Sequence, residues 1–177
     1  MSPLPEYLRI IRENEWRWRA SAWSFAVSTV LMAIGLLLAA SVSASRLYGT
    51  AAFALFVVVA PCWLGALALR LDLTVAAARG AVDSASYETV GKWSGSLYGF
   101  FMVGGHAAVA LLGASVIGDP KVPQWAAWTT CLVGSIEAVS FWVGWPRAFG
   151  MRSLFELPVL VPLVALFVAI PLAAAGS

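Results

Sequence analysis

Charged side chains are scarce in this chain of 177 residues: they make up 11% of the sequence, while 61% of the residues are hydrophobic. A soluble domain of ordinary composition has about 25% charged residues, which cover its surface. The shortage therefore excludes a soluble globule and an intrinsically disordered chain. A net charge of +2 without a continuous basic block also excludes a nucleic-acid-binding domain. The composition predicts an integral membrane protein.

Cysteine and histidine are nearly absent, with two Cys and one His in the chain. Two cysteines do not make a disulfide-rich secreted module. One histidine cannot build a bis-histidine haem site, although Met102 lies one turn before His106. The carboxylates are few and have no metal-ligand spacing, and the P-loop, HExxH, GxSxG and CxxC motifs are missing. The sequence therefore assigns no catalytic residue, no metal and no cofactor, and it gives no positive sign of an enzyme.

Five long apolar runs are present instead, each long enough for the about 20 residues that a membrane-spanning helix needs. They cover residues 20–44, 49–69, 94–118, 125–145 and 154–175. No segment alternates polar and apolar residues over about ten positions, which argues against a transmembrane barrel. The sequence predicts an all-α polytopic membrane protein, with five transmembrane helices in one bundle over residues 20–177.

Residues 1–19 have a different pattern. Leu4, Leu8 and Ile11 recur at helical spacing, with several arginines offset from them. This pattern predicts an interfacial amphipathic helix that lies on the cytoplasmic leaflet, with its basic side toward anionic headgroups. Membrane lipids are therefore expected partners.

The basic residues divide unevenly between the two predicted sides of the membrane. Of the eleven Lys and Arg residues, nine precede the first span or lie in the second-to-third and fourth-to-fifth connections, and two lie on the other side. The positive-inside rule then places the N-terminus in the cytoplasm and the C-terminus outside, which requires an odd number of spans. Most of the nine tryptophans fall near the predicted interfaces. We predict a tryptophan-rich, multi-pass protein of the cell membrane.

The connection between the second and third spans, residues 72–92, is predicted to be helical. We expect it to extend both spans, with a break at Gly80 and a new helix capped by Asp83 or Ser84. Arg70 lies where the second span ends, and its long side chain can reach the interface.

Two ionisable side chains fall inside predicted spans: His106 in the third and Glu137 in the fourth. At 1.5 Å per residue they lie about 16 Å and about 18 Å from the same end of two antiparallel spans, so a contact is geometrically allowed. Two interpretations stay open: a proton-binding or substrate-binding site, or an interhelical hydrogen bond that keeps the helices in register. The candidate site residues are Glu137, His106, Thr130, Ser140 and Met102.

Small residues indicate where helices can approach each other closely. Gly91, Gly95 and Gly99 recur at every fourth position around the start of the third span, and Gly134 shares a face with Glu137. We expect the GxxxGxxxG pattern to pack within the monomer or between copies of the chain.

Three functions fit these features. The first is transport or permeation of a small solute or proton through a cavity near Glu137 and His106. The second is a non-catalytic subunit or assembly factor of a larger membrane complex. The third is an intramembrane enzyme that acts on a lipid or isoprenoid, with Glu137 as the acid. The possible protein partners are a second copy of the chain or a larger membrane complex, and nucleic acid is not expected.

Overall fold

The computed structural model describes residues 4–144, which form five α-helices and no strand. The helices are α1 (Leu4–Glu13), α2 (Glu15–Val42), α3 (Arg46–Ala78), α4 (Ser84–Ser115) and α5 (Gln124–Trp142). The all-α prediction is confirmed for this part of the chain. The fifth predicted span, residues 154–175, lies outside it.

Three helices, α2, α3 and α4, are long and apolar enough to cross a membrane. They overlap the predicted spans 20–44, 49–69 and 94–118. Helix α5 has 19 residues and overlaps the predicted span 125–145, but it is not among these three. The chain is therefore compatible with a membrane protein. Five spans and the positions of the termini remain predictions.

The junction between α1 and α2 comes earlier than predicted. The predicted interfacial helix covers residues 1–19, but α1 ends at Glu13 and α2 begins at Glu15. Helical hydrogen bonding continues across Asn14, whose backbone N–H is shared between two preceding carbonyls at 3.1 Å. Residues 15–19 therefore belong to the beginning of the long apolar helix, because regular helical hydrogen bonding resumes directly after Asn14.

The turn between α3 and α4 follows from local backbone chemistry. Gly80 has a φ of +77°, a left-handed conformation that glycine adopts without steric cost, and it follows the end of α3. Asp83 caps α4, because its Oδ1 accepts the backbone N–H of Ser86 at 2.9 Å. This bond holds the pKa of Asp83 below its ordinary value. The predicted break and the predicted cap are both confirmed.

The described residues form two compact units. The first consists of the residues up to Val30 together with Pro61–Phe100, and the second consists of Leu31–Ala60 together with the residues from Phe101 onward. The second unit has a core of small and branched apolar side chains, and this core includes residues of α4 and α5. Its members are Leu36, Ala39, Ala52, Phe56, Ala60, Ala108, Val109, Leu112, Val116, Val122, Ala126 and Ala127.

The turn between α4 and α5 is held by the side chain of Gln124. Its Oε1 accepts the backbone N–H of Gly118 at 2.8 Å, and its Nε2 donates to the Asp119 carbonyl at 2.7 Å. Gly118 has a φ of +84°, which lets the chain reverse after α4. This short, internally bonded turn makes α4 and α5 an antiparallel helical hairpin.

Helix α5 has one exposed apolar face and one buried face. Trp125, Trp128, Leu132, Ile136 and Val139 are each more than half exposed. Their spacing of three and four residues places them on one side of the helix, and the buried Glu137 lies on the other. An exposed apolar face of this size marks a surface for contacts with lipid or with another protein.

Candidate functional site

Helices α4 and α5 approach each other at backbone distance, and glycine makes that approach possible. A Cβ added to Gly113 would lie 2.5 Å from the backbone nitrogen of Cys131. A Cβ added to Gly134 would lie 2.8 Å from the nitrogen of Ala110 and 2.9 Å from the carbonyl oxygen of His106. At each of these glycines, the missing side chain lets the backbones of α4 and α5 come into direct contact.

This approach brings His106 and Glu137 into contact. Nε2 of His106 lies 2.5 Å from Oε2 of Glu137. The two residues are buried, with 8% and 2% of their surface exposed. The contact is not aligned as a hydrogen bond, since Oε2 has no hydrogen-bond partner within the described residues. Among the ion-pair contacts of residues 4–144, only this one is buried.

The backbone of Met102 determines which nitrogen of His106 carries a proton. Nδ1 lies 2.6 Å from the Met102 carbonyl oxygen. A carbonyl oxygen can only accept, so Nδ1 must be the donor. In the neutral imidazole, a proton on Nδ1 leaves Nε2 as a bare acceptor. That acceptor is the nitrogen that faces Glu137.

The short contact requires a proton on one of its two atoms. A bare Nε2 and an ionised carboxylate oxygen are both acceptors, and they repel each other at a separation of 2.5 Å. A proton on either atom removes the repulsion, as an imidazolium beside a carboxylate or as a neutral imidazole beside a carboxylic acid. In both forms the pair holds one exchangeable proton and has no net charge. A neutral pair is also the form that is least costly to bury.

An aromatic ring covers one face of the imidazole. The ring of Phe141 stacks on it, with centroids 5.4 Å apart and planes 14° from parallel. Two residues before His106, a Cβ at Gly104 would collide with the methyl groups of Val59, so α3 packs tightly there. In the sequence, a Gly–Gly pair immediately before His106 is the one local sign of this packing.

The other candidate residues are only partly brought together. Met102 joins the pair through its backbone carbonyl and not through its thioether. Ser140 is buried, but its hydroxyl donates to the Ile136 carbonyl of its own helix at 2.7 Å. Thr130 is fully buried, and its hydroxyl has no partner among the described residues. It lies about 10 Å from Glu137 along the helix axis, two turns away.

At two glycines of the predicted stripe, the described residues leave room for a side chain. A Cβ added to Gly91 or Gly95 would meet no described atom within 4 Å. Gly99 is half-buried. The close approaches of α4 are made instead by Gly104 and Gly113, because those positions face α3 and α5. A homo-oligomer interface along the stripe remains a prediction.

Comparison with known proteins assigns no family, since no protein-family model, curated protein or solved structure matches this chain.

Proposed function

We propose that this chain is a membrane transport protein for protons or a small solute, with His106 and Glu137 as its proton-binding site. The observation that supports the proposal is the buried contact between the two side chains. Ionisable groups inside lipid are costly, and where they occur they commonly form proton relays or ion sites. Histidine suits this role because its charge changes near physiological pH.

Loss or gain of a proton would change the contact itself. With one proton, attraction holds the two groups together. With none, a bare nitrogen faces a carboxylate, and the two acceptors repel each other. With two, an imidazolium faces a carboxylic acid, whose carbonyl oxygen can still accept its N–H, but the attraction between opposite charges is lost. Either change weakens the contact. Proton number is thereby linked to the packing of α4 against α5, which is the coupling that a proton-driven transporter needs.

A non-catalytic subunit, in which the pair only keeps α4 and α5 in register, is the alternative. The glycine contacts argue against a purely structural role. Gly113 and Gly134 already fix the two helices at backbone distance, without any polar group. A buried ion pair adds a desolvation cost that apolar residues of similar size would avoid. We therefore favour the proton site.

NMR of the imidazole tests the proton site directly. His106 is the only histidine of the chain, so labelling histidine with ¹⁵N gives signals from this site alone. In lipid nanodiscs at neutral pH we expect the Nδ1 signal to be that of a protonated nitrogen, because Nδ1 donates to the Met102 carbonyl. Glu137→Gln removes the carboxylate partner and should shift the Nε2 signal, whereas Glu88→Gln, which removes an exposed carboxylate of α4, should leave it unchanged. An unchanged Nε2 signal in Glu137→Gln would contradict the pairing.

Proton flux into liposomes separates the two functions. The protein is reconstituted with an internal pH-sensitive dye, and a membrane potential is imposed. We expect flux in wild type and in Glu88→Gln, and none in Glu137→Gln, although all three fold. Equal flux in Glu137→Gln and wild type would refute the role of the pair. A folded wild-type protein without flux, alone or with added solutes, would favour the structural subunit.

A further inference from the structure

A second cluster of polar side chains lies in the first unit and includes residues of α1, α2, α3 and α4. The guanidinium of Arg70 lies 5.2 Å from the centroid of the Trp18 ring, and the Trp18 indole N–H donates to the Arg70 carbonyl at 3.2 Å. Tyr7 packs edge-on against Trp18, with centroids 6.1 Å apart. The hydroxyls of Tyr87 and Thr74 are 3.4 Å apart. The cluster joins residues that are far apart in the sequence.

Arg70 has no carboxylate partner within residues 4–144, unlike other arginines of the same unit. Arg19 and Arg79 share Glu15, at 2.9 Å and 2.8 Å. None of the ion pairs in this part of the chain includes Arg70. Its planar guanidinium is held against an indole ring and remains available to an anion from outside the described chain.

The hydroxyl neighbours of Arg70 are neutral. Burial raises the pKa of Tyr7 above its ordinary value, Tyr87 raises it further, and the Arg70 guanidinium partly opposes both. Tyr7 therefore remains a neutral phenol at physiological pH. Arg70 lies beside the phenol of Tyr7, Tyr87 lies next to that phenol, and none of residues 4–144 forms an ion pair with Arg70. A permanent cation in this setting offers N–H and O–H donors to a ligand. This combination suits an anion with several acceptor oxygens, such as phosphate.

The position of the cluster indicates where such a phosphate would come from. Arg70 directly follows the predicted span 49–69, and Trp18 comes just before the predicted span 20–44. The cluster therefore lies at the level where two apolar helices leave the hydrocarbon layer, which is the depth of lipid headgroups. We propose that Arg70, Tyr7 and Tyr87 bind the phosphate of an anionic phospholipid. This binding site is independent of the proton site.

Lipid binding to the full chain tests the proposal. The delipidated protein in neutral detergent is titrated with phosphatidylglycerol, and its melting temperature is followed. We expect saturable stabilisation of wild type. Arg70→Gln should weaken the apparent affinity roughly tenfold or more, and Tyr7→Phe roughly threefold to tenfold, as charged and neutral hydrogen bonds differ in strength. Arg46→Gln is the matched control, because Arg46 lies at the other end of α3, is exposed, has no ion pair within residues 4–144 and carries the same charge.

Other outcomes of the titration would overturn the site, the lipid assignment or the preference for an anionic lipid. Equal weakening by Arg46→Gln and Arg70→Gln would reduce the effect to general charge attraction and overturn the site. Glycerol phosphate or inorganic phosphate that binds as tightly as the lipid would overturn the lipid assignment in favour of a soluble phosphate ligand. Phosphatidylcholine of equal affinity would overturn the preference for an anionic lipid. If Arg70→Gln does not fold, the proposal is tested with Tyr7→Phe alone. An affinity of Tyr7→Phe for phosphatidylglycerol equal to that of wild type would then overturn the proposal.

Discussion

Replacement of Gly134 by alanine tests the close packing of α4 and α5 on which the His106–Glu137 contact depends. The new methyl group would lie 2.8 Å from the Ala110 nitrogen and 2.9 Å from the His106 oxygen. Both atoms belong to the backbone of α4, so no side-chain rotation relieves the collision. Ordinary contact begins near 3.4 Å, and the two helices must therefore separate locally by about 0.6 Å.

A matched variant isolates the cost of this separation. Overpacking of a well-packed interface costs about 1–3 kcal/mol, whereas alanine is favoured over glycine inside a helix by up to about 1 kcal/mol. Gly105→Ala has the same helix preference, but its Cβ would meet only the Phe101 ring, at 3.9 Å. Both variants gain the same helix preference of alanine over glycine. Their free energies of unfolding should therefore differ by the overpacking cost alone, about 1–3 kcal/mol, with Gly134→Ala the less stable.

Thermal unfolding in one detergent measures the difference. For a chain of this size, it corresponds to a melting temperature that is roughly 2–10 °C lower in Gly134→Ala than in Gly105→Ala. The NMR signals of the His106 imidazole should also shift in Gly134→Ala, because the backbone oxygen that has to move belongs to His106. Equal melting temperatures for the two variants would refute the close approach of the helices.

Two further substitutions test the buried hydroxyl and the helix cap. Thr130→Val replaces a fully buried, unpartnered hydroxyl by a methyl group of the same shape, so we expect a higher melting temperature; a lower one would reveal a partner for the hydroxyl. Asp83→Ala removes the bond to the Ser86 N–H and should lower the melting temperature at neutral pH. Because the pKa of Asp83 is lowered by folding from an ordinary value of 3.8, its carboxylate stabilises the fold above that value and ceases to do so as the pH falls through the lowered one. The difference from wild type should therefore vanish in strong acid, and a pH-independent difference would contradict this account.

Local chemistry and simple geometry explain what the sequence predicts correctly. Gly80 and Asp83 act through their own backbone neighbours, so their roles can be read without a tertiary structure. The depths of His106 and Glu137 follow from the constant rise of a helix and a short connection. A contact between the third and fourth predicted helices could therefore be anticipated before either helix was placed.

Tertiary arrangement explains what the sequence misses. The spacing of Gly91 and Gly95 shows that they share a face, but it does not show which neighbour that face meets, and none of the described residues packs closely there. Helical hydroxyls commonly bond to their own backbone, as Ser140 does, so the unpartnered hydroxyl of Thr130 has no sequence signal. The cluster around Arg70 joins four helices, and no local pattern marks it.

The hairpin of α4 and α5 has a consequence for how the chain enters a membrane. His106 and Glu137 belong to consecutive helices joined by a short turn, so they can meet as soon as α5 has been synthesised. Without its partner, each of these two side chains would lose its hydration in the hydrocarbon layer at the full desolvation cost. Under the proposed function the pair shares one proton and would cross the interface as a single neutral group, with the backbone contacts at Gly113 and Gly134 already made. We therefore predict that α4 and α5 insert more easily together, as one unit, than either helix does by itself.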